Sequence, residues 1–147
     1  MMLLNEILMN VLYIGAGFVF IKSSIGKLKN PYAFGRVIES YHLFFKGTFT
    51  LFLAALIGPV ELVVGMMIIA ESFRVVGLLI GILLQLMFLL LMSLKLNQTL
   101  PFGCGCFGLH APEKISAKKV MFNLGYTVLL AALISLNVNE VIREMLQ

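Results

Sequence analysis

The sequence predicts an all-α integral membrane protein, a four-helix bundle with an amphipathic interfacial helix between its first and second spans. Two observations carry this. Of 147 residues, 61% are hydrophobic and 12% charged, with a mean hydropathy of +1.03. Soluble domains run about 45–50% apolar and about 25% charged. The apolar residues also gather in four runs, each near the about 20 residues that cross a hydrocarbon core. So little charge cannot cover a globule with a solvated surface, which excludes a water-soluble enzyme and a disordered or collagen-like chain. The length suits a single membrane domain over residues 1–147, with spans at about 3–22, 49–70, 75–94 and 118–137.

The first run, Leu3 to Ile21, is interrupted by Asn5, Glu6 and Asn10. No Lys or Arg precedes it and no small-x-small cleavage pattern follows, so it reads as a span rather than a removable signal peptide. Asn30-Pro31 then breaks the chain. Beyond the break, Phe34, Val37, Ile38 and Tyr41 recur at helical spacing, with Arg36, Glu39 and Ser40 opposite. That pattern predicts a helix lying on the bilayer surface.

The second run, Phe49 to Ala70, has Glu61 as its only charge, and the third, Val75 to Leu94, contains Gln85 and Ser93. Only Glu71-Ser72-Phe73-Arg74 joins them, so they form a tight antiparallel hairpin. The link 95–119 carries Pro101, Gly103, Gly105, Gly108 and Pro112 and reads as a turn-rich loop. The fourth run, Val120 to Leu136, is shorter and is extended if the Lys118 and Lys119 stems snorkel. Gly15 and Gly17 in the first span, and Gly77 and Gly81 in the third, suit close helix packing within the bundle or a dimer face.

The most reactive segment is Pro101-Phe102-Gly103-Cys104-Gly105-Cys106-Phe107-Gly108, which holds the only two cysteines. Extended geometry leaves residues i and i+2 near the upper Cα separation for a disulfide, so a Cys104–Cys106 bond would be strained and readily exchanged. Such a pair suits electron transfer better than fold stabilisation. Lys114, Lys118 and Lys119 would favour the thiolate. Cys104 and Cys106 are therefore the candidate catalytic residues. The spacing excludes a CxxC thioredoxin site and CxxCH haem attachment. Two other readings stay open. Both thiolates with His110 would suit Cu(I), though the preferred reading assigns no metal. A loop staple or inert thiols is the other.

Glu61 lies mid-span in Gly58-Pro59-Val60-Glu61. A carboxylate there costs several kcal/mol if charged, so it should face the bundle interior, paired or protonated. Pro59 frees a backbone carbonyl one turn earlier, where a polar pocket can open. Glu61, with Lys22 and Asn123 as polar support, is the candidate cofactor site, for a proton or a quinone. The structural alternative is a hydrogen bond from Glu61 to Asn123, Gln85 or a lysine ending the first span. Lys27 and Lys29 read as interfacial anchors. The basic residues form no aromatic-interleaved patch, so nucleic acid is not a partner.

With these residues in view, the chain resembles the MauE/DoxX-like family of four-helix bacterial membrane proteins. The matching elements are Gly17 through Lys22, Gly26-Lys27-Leu28, Asn30-Pro31 with Phe34, Ile38 and Tyr41, Pro59 with Glu61-Leu62 and Gly65, and Arg74. Cys104-Gly105-Cys106-Phe107-Gly108 is the specific element and resembles the MauE-type branch. The resemblance spans about residues 10–130. It implies thiol–disulfide traffic at the bacterial cytoplasmic membrane, with a thioredoxin-like partner protein, as in methylamine utilisation. The broader group includes a subunit of a thiosulfate:quinone oxidoreductase, which implies quinone as an electron sink. A non-catalytic subunit of a membrane complex is a further alternative.

Charge sorting bears on sidedness. Termini and hairpin hold Glu6, Glu71, Glu140 and Glu144 against Arg74 and Arg143. The two long links hold Lys22, Lys27, Lys29, Arg36, Lys46, Lys95, Lys114, Lys118 and Lys119 against Glu39 and Glu113. The positive-inside rule puts these links, and the cysteines, in the cytoplasm. The role implied by the resemblance favours the opposite face, where a thiol pair can cycle oxidatively.

Overall fold

The computed structural model describes residues 1–42, 44, 47–104 and 111–147. Helix α1 runs Met2–Lys29, α2 Pro31–Ser40, α3 Thr48–Ile69, α4 Arg74–Leu94 and α5 Ala117–Leu146. A single 3-10 turn, Glu71–Phe73, joins α3 to α4. Two short antiparallel strands, β1 (Thr99–Leu100) and β2 (Glu113–Lys114), lie in the link before α5. Four helices are long and apolar enough to cross a membrane: α1, α3, the turn with α4, and α5.

Local chemistry explains the breaks. The ring of Pro31 disfavours helical backbone at Asn30 and so ends α1. Asn30 then caps α2, its Oδ1 accepting from the Ala33 N–H at 3.0 Å, with Pro31 in the first helical position. At the hairpin, Arg74 reaches back to the open carbonyls of α3. Its Nε donates to Ile68 O at 3.2 Å, and the guanidinium lies 4.0 Å from the Tyr13 ring centroid. A cation suits the negative end of the helix dipole, and the aromatic face holds it there.

Helix α1 packs chiefly on α3, α3 on α4, and α4 on α5. Helices α1 and α3 meet glycine on glycine. A Cβ on Gly65 would sit 2.7 Å from the Gly17 carbonyl oxygen, and one on Gly17 2.6 Å from that of Gly65. Gly77 and Gly81 face Met67, Ile68, Phe20 and Val64 of the same chain, so this small-residue face serves the bundle itself, while Gly15 has nothing within 4 Å. Tyrosines tie α1 to α5, Tyr13 Oη donating to Leu133 O at 3.2 Å and Tyr126 Oη to Ala16 O at 2.7 Å.

The amphipathic helix is present, and its apolar face packs on the end of the bundle. Phe34, Val37, Ile38 and Tyr41 are buried with Ala54, Phe88, Met92, Leu100, Cys104 and Ile115. A second apolar cluster, including Tyr13, Phe20, Val64, Ile68, Leu78, Tyr126 and Leu130, fills the hairpin end. Between the clusters each long helix contributes buried polar side chains: Ser23, Ser24 and Lys27, then Glu61, Gln85, and Asn123 with Thr127. This polar layer crosses the bundle at mid-depth.

Two helix ends differ from expectation. Helix α1 continues through Lys22 to Lys29, because Ser23, Ser24 and Lys27 are buried on its inner face rather than marking a membrane boundary. Helix α5 continues to Leu146, since Glu140, Arg143 and Glu144 are good helix formers that simply end the apolar run.

Candidate functional site

The polar layer is organised around one ion pair. Lys27 Nζ lies 2.6 Å from Glu61 Oε1 and 2.7 Å from Oε2. The two side chains are 0% and 1% exposed. Ser23 Oγ donates to Glu61 Oε2 at 3.2 Å, and the Lys27 ammonium also donates to Ser23 Oγ at 3.1 Å. Ser23 and Lys27 stand four residues apart, hence on one face of α1. Two rings close the site: the ammonium lies 4.9 Å from the Phe34 centroid and 4.5 Å from that of Phe88. Buried ions are tolerated only when paired and hydrogen-bonded, and both conditions are met here.

This geometry corrects the sequence reading of the lysines. Lys22, expected to support Glu61, is exposed. Lys27, expected to anchor the interface, is the partner instead. Five residues separate the two, about 140° around the helix, so they cannot share a face. The usable signal was the buried stripe Tyr13, Gly17, Phe20, Ser24, Lys27, which continues the inner face past the apolar run.

Asn123 is fully buried but does not meet Glu61. Its Nδ2 donates to Met92 Sδ at 3.1 Å, and its carbonyl accepts from Thr127 Oγ1 at 2.9 Å. Its Oδ1 has no hydrogen-bond partner, and neither has Gln85 Oε1.

Cys104 follows β1 and is buried, 7% exposed. Tyr41, the last apolar residue of the α2 face, donates its hydroxyl to the Cys104 carbonyl at 3.0 Å. The amphipathic helix thereby fixes the start of the cysteine loop. Cys106 and His110 lie outside the described residues. The pairing of Cys104 with Cys106, and the copper set with His110, therefore rest on the sequence alone. Among the described residues no three His, Cys, Asp or Glu side chains gather as a metal site.

Two cavities share Cys104 as a wall. One, of about 650 Å³, is lined by Met92, Ser116, Lys118, Lys119, Met121 and Phe122. Lys119 there is paired with Glu113. The other, of about 240 Å³, lies between α2, α3 and α4 and is lined by apolar side chains including Phe34, Val37, Ile38, Leu53, Ile57, Phe88 and Leu91. Phe34 and Phe88 thus face this chamber and also cover the Lys27 ammonium. Cys104 and the two rings that cover the ion pair line one apolar chamber.

Fold and site together define a multi-pass helical membrane protein in which Cys104 lines an apolar chamber backed by a buried ion pair. The family model described as methylamine utilisation protein MauE matches residues 5–136. The chain belongs to the MauE family. No curated protein and no solved structure matches it.

Proposed function

We propose that this chain is a thiol–disulfide redox protein of the bacterial cytoplasmic membrane, in which Cys104 and Cys106 cycle between dithiol and disulfide. A thioredoxin-like partner supplies electrons and quinone, or another lipid-soluble two-electron carrier, accepts them. The observation that carries the reading is Cys104 on the wall of an apolar chamber within the bundle, its carbonyl held by Tyr41. A carrier dissolved in the bilayer needs such an apolar approach to a protein thiol, and membership of the MauE family supports the same role.

The chemistry balances in two steps. A partner thiolate attacks the loop disulfide, forming a mixed disulfide and releasing one loop thiolate. The partner's second thiol resolves it, so the partner leaves as a disulfide and the loop holds two thiols. Oxidation of that dithiol passes two electrons and two protons to the quinone, giving quinol and re-forming the loop S–S bond. Lys118, on the wall of the larger cavity with Cys104, adds positive potential that favours the thiolate. Glu61, with Lys27, provides a buried charged pair behind Phe34 and Phe88; its role is to hold the chamber's inner wall in place.

Redox titration with a thiol-trapping reagent tests this reading. Cys104 and Cys106 are expected to become trappable together as one two-electron couple, poised above the range of structural disulfides. Thiols that stay reactive, or stay blocked, across all potentials would contradict it.

A further inference from the structure

We propose that the cavity between α2 and the start of α3 binds a phospholipid headgroup that carries both a phosphate and a primary amine, the ethanolamine class. The cavity, of about 320 Å³, is lined by Tyr32, Arg36, Glu39, Thr48 and Thr50 among others. That is the low end of the about 300–1,000 Å³ of small-ligand pockets, which suits a headgroup with its chains left outside. Arg36 and Glu39 also line a cavity with Pro101 and Phe102, so the site adjoins the start of the cysteine segment, but the proposal does not depend on the redox reading.

Three features point to the phosphate. The N-cap of helix α3 is Gly47, which has no side chain to cap the first turn, whereas α2 is capped by Asn30. The positive end of a long helix dipole favours an anion. Thr50, in that first turn, lines the cavity and is fully buried, yet its Oγ1 has no hydrogen-bond partner. A buried hydroxyl in that state costs free energy until a ligand meets it. The exposed Arg36 lines the same cavity and has no acidic partner among the described residues. Guanidinium is suited to bidentate contact with phosphate.

Glu39 decides between headgroups. It lines the same cavity and one of its oxygens, Oε1, accepts from the Gly47 N–H at 3.2 Å. A purely anionic ligand would face this carboxylate. A zwitterion sets its ammonium against Glu39 and its phosphate against Arg36 and the helix end. The surroundings favour a lipid over a free ion, because Tyr32, Phe49, Leu51 and Phe52 are exposed at the point where α3 begins its apolar run. Aromatic side chains at that level are typical of the headgroup region.

Native mass spectrometry of the detergent-purified full chain, titrated with phosphatidylethanolamine or phosphatidylglycerol, tests this. The unaltered chain is expected to retain the ethanolamine lipid in preference. Arg36→Gln should weaken that retention about tenfold or more, as for loss of one charge-assisted hydrogen bond. Thr50→Val should weaken it less, and Glu39→Gln should abolish the preference while leaving phosphatidylglycerol bound. Equal retention of both lipids by the unaltered chain, undiminished retention by Arg36→Gln, or displacement by inorganic phosphate would each overturn the proposal.

Discussion

Lys27→Met is expected to destabilise the bundle by about 3–5 kcal/mol, the cost of leaving one member of a buried ion pair without its partner. The Glu61 carboxylate would keep only Ser23 as a donor, in a layer with no access to water. Unfolding in mixed detergent micelles, followed by circular dichroism, reads the loss directly. Lys22→Met should fall within about 0.5 kcal/mol of the unaltered chain, since Lys22 is exposed. The double change Lys27→Met with Glu61→Leu should recover most of the lost stability, because an apolar pair of similar volume removes both desolvation costs. A double variant no more stable than Lys27→Met would mean that Glu61 is not held chiefly by Lys27.

Replacing either Cys104 or Cys106 by serine is expected to reduce thiol-dependent quinone reduction in reconstituted vesicles to background. Serine cannot form the S–S bond through which both electrons pass, so no partial activity survives in either single variant. The two variants guard against different failures. Cys104 is buried among Phe34, Val37, Ile38 and Met92, and a hydroxyl placed there costs stability. Cys106, outside the described residues, provides the second test. Quinone reduction persisting after either change would move the chemistry away from the loop.

Much of this architecture was legible in the sequence. The four apolar runs, the four-residue hairpin, the Asn30-Pro31 break and the α2 stripe all rest on local chemistry and lie within the observed helices and turns, though α1 and α5 run on past their apolar runs. Glu61 was readable as interior because a lone acid in an apolar run must turn inward. Its partner was readable only as one option among Asn123, Gln85 and a lysine ending the first span, and Lys27 was assigned to the interface instead. Hydropathy ends a span at the first lysine, yet α1 carries its buried face on to Lys27, where α2 and α4 supply Phe34 and Phe88 to cover the ammonium. No local pattern reports that cover, since it comes from elements distant in the chain. The β1–β2 pairing was missed for a similar reason: two-residue strands have no periodicity to read.

The ion pair also alters the charge argument for sidedness. Lys27 is buried and neutralised inside the bundle by Glu61, so it does not act as a topological charge, whereas the partly exposed Lys119 still does. The remaining lysines and Arg36 still leave the cysteine-bearing end the more basic one. An impermeant maleimide applied to whole cells would identify the face.

The proposed cycle is tested most directly by trapping the loop thiols after oxidant is supplied from the bilayer. The reduced chain in lipid vesicles would be mixed with a membrane-soluble quinone, quenched with maleimide at intervals, and digested. The account predicts that Cys104 and Cys106 lose reactivity together, with one disulfide formed for each quinol. Thiols that remain fully reactive while quinone persists, or quinol appearing without disulfide, would contradict it.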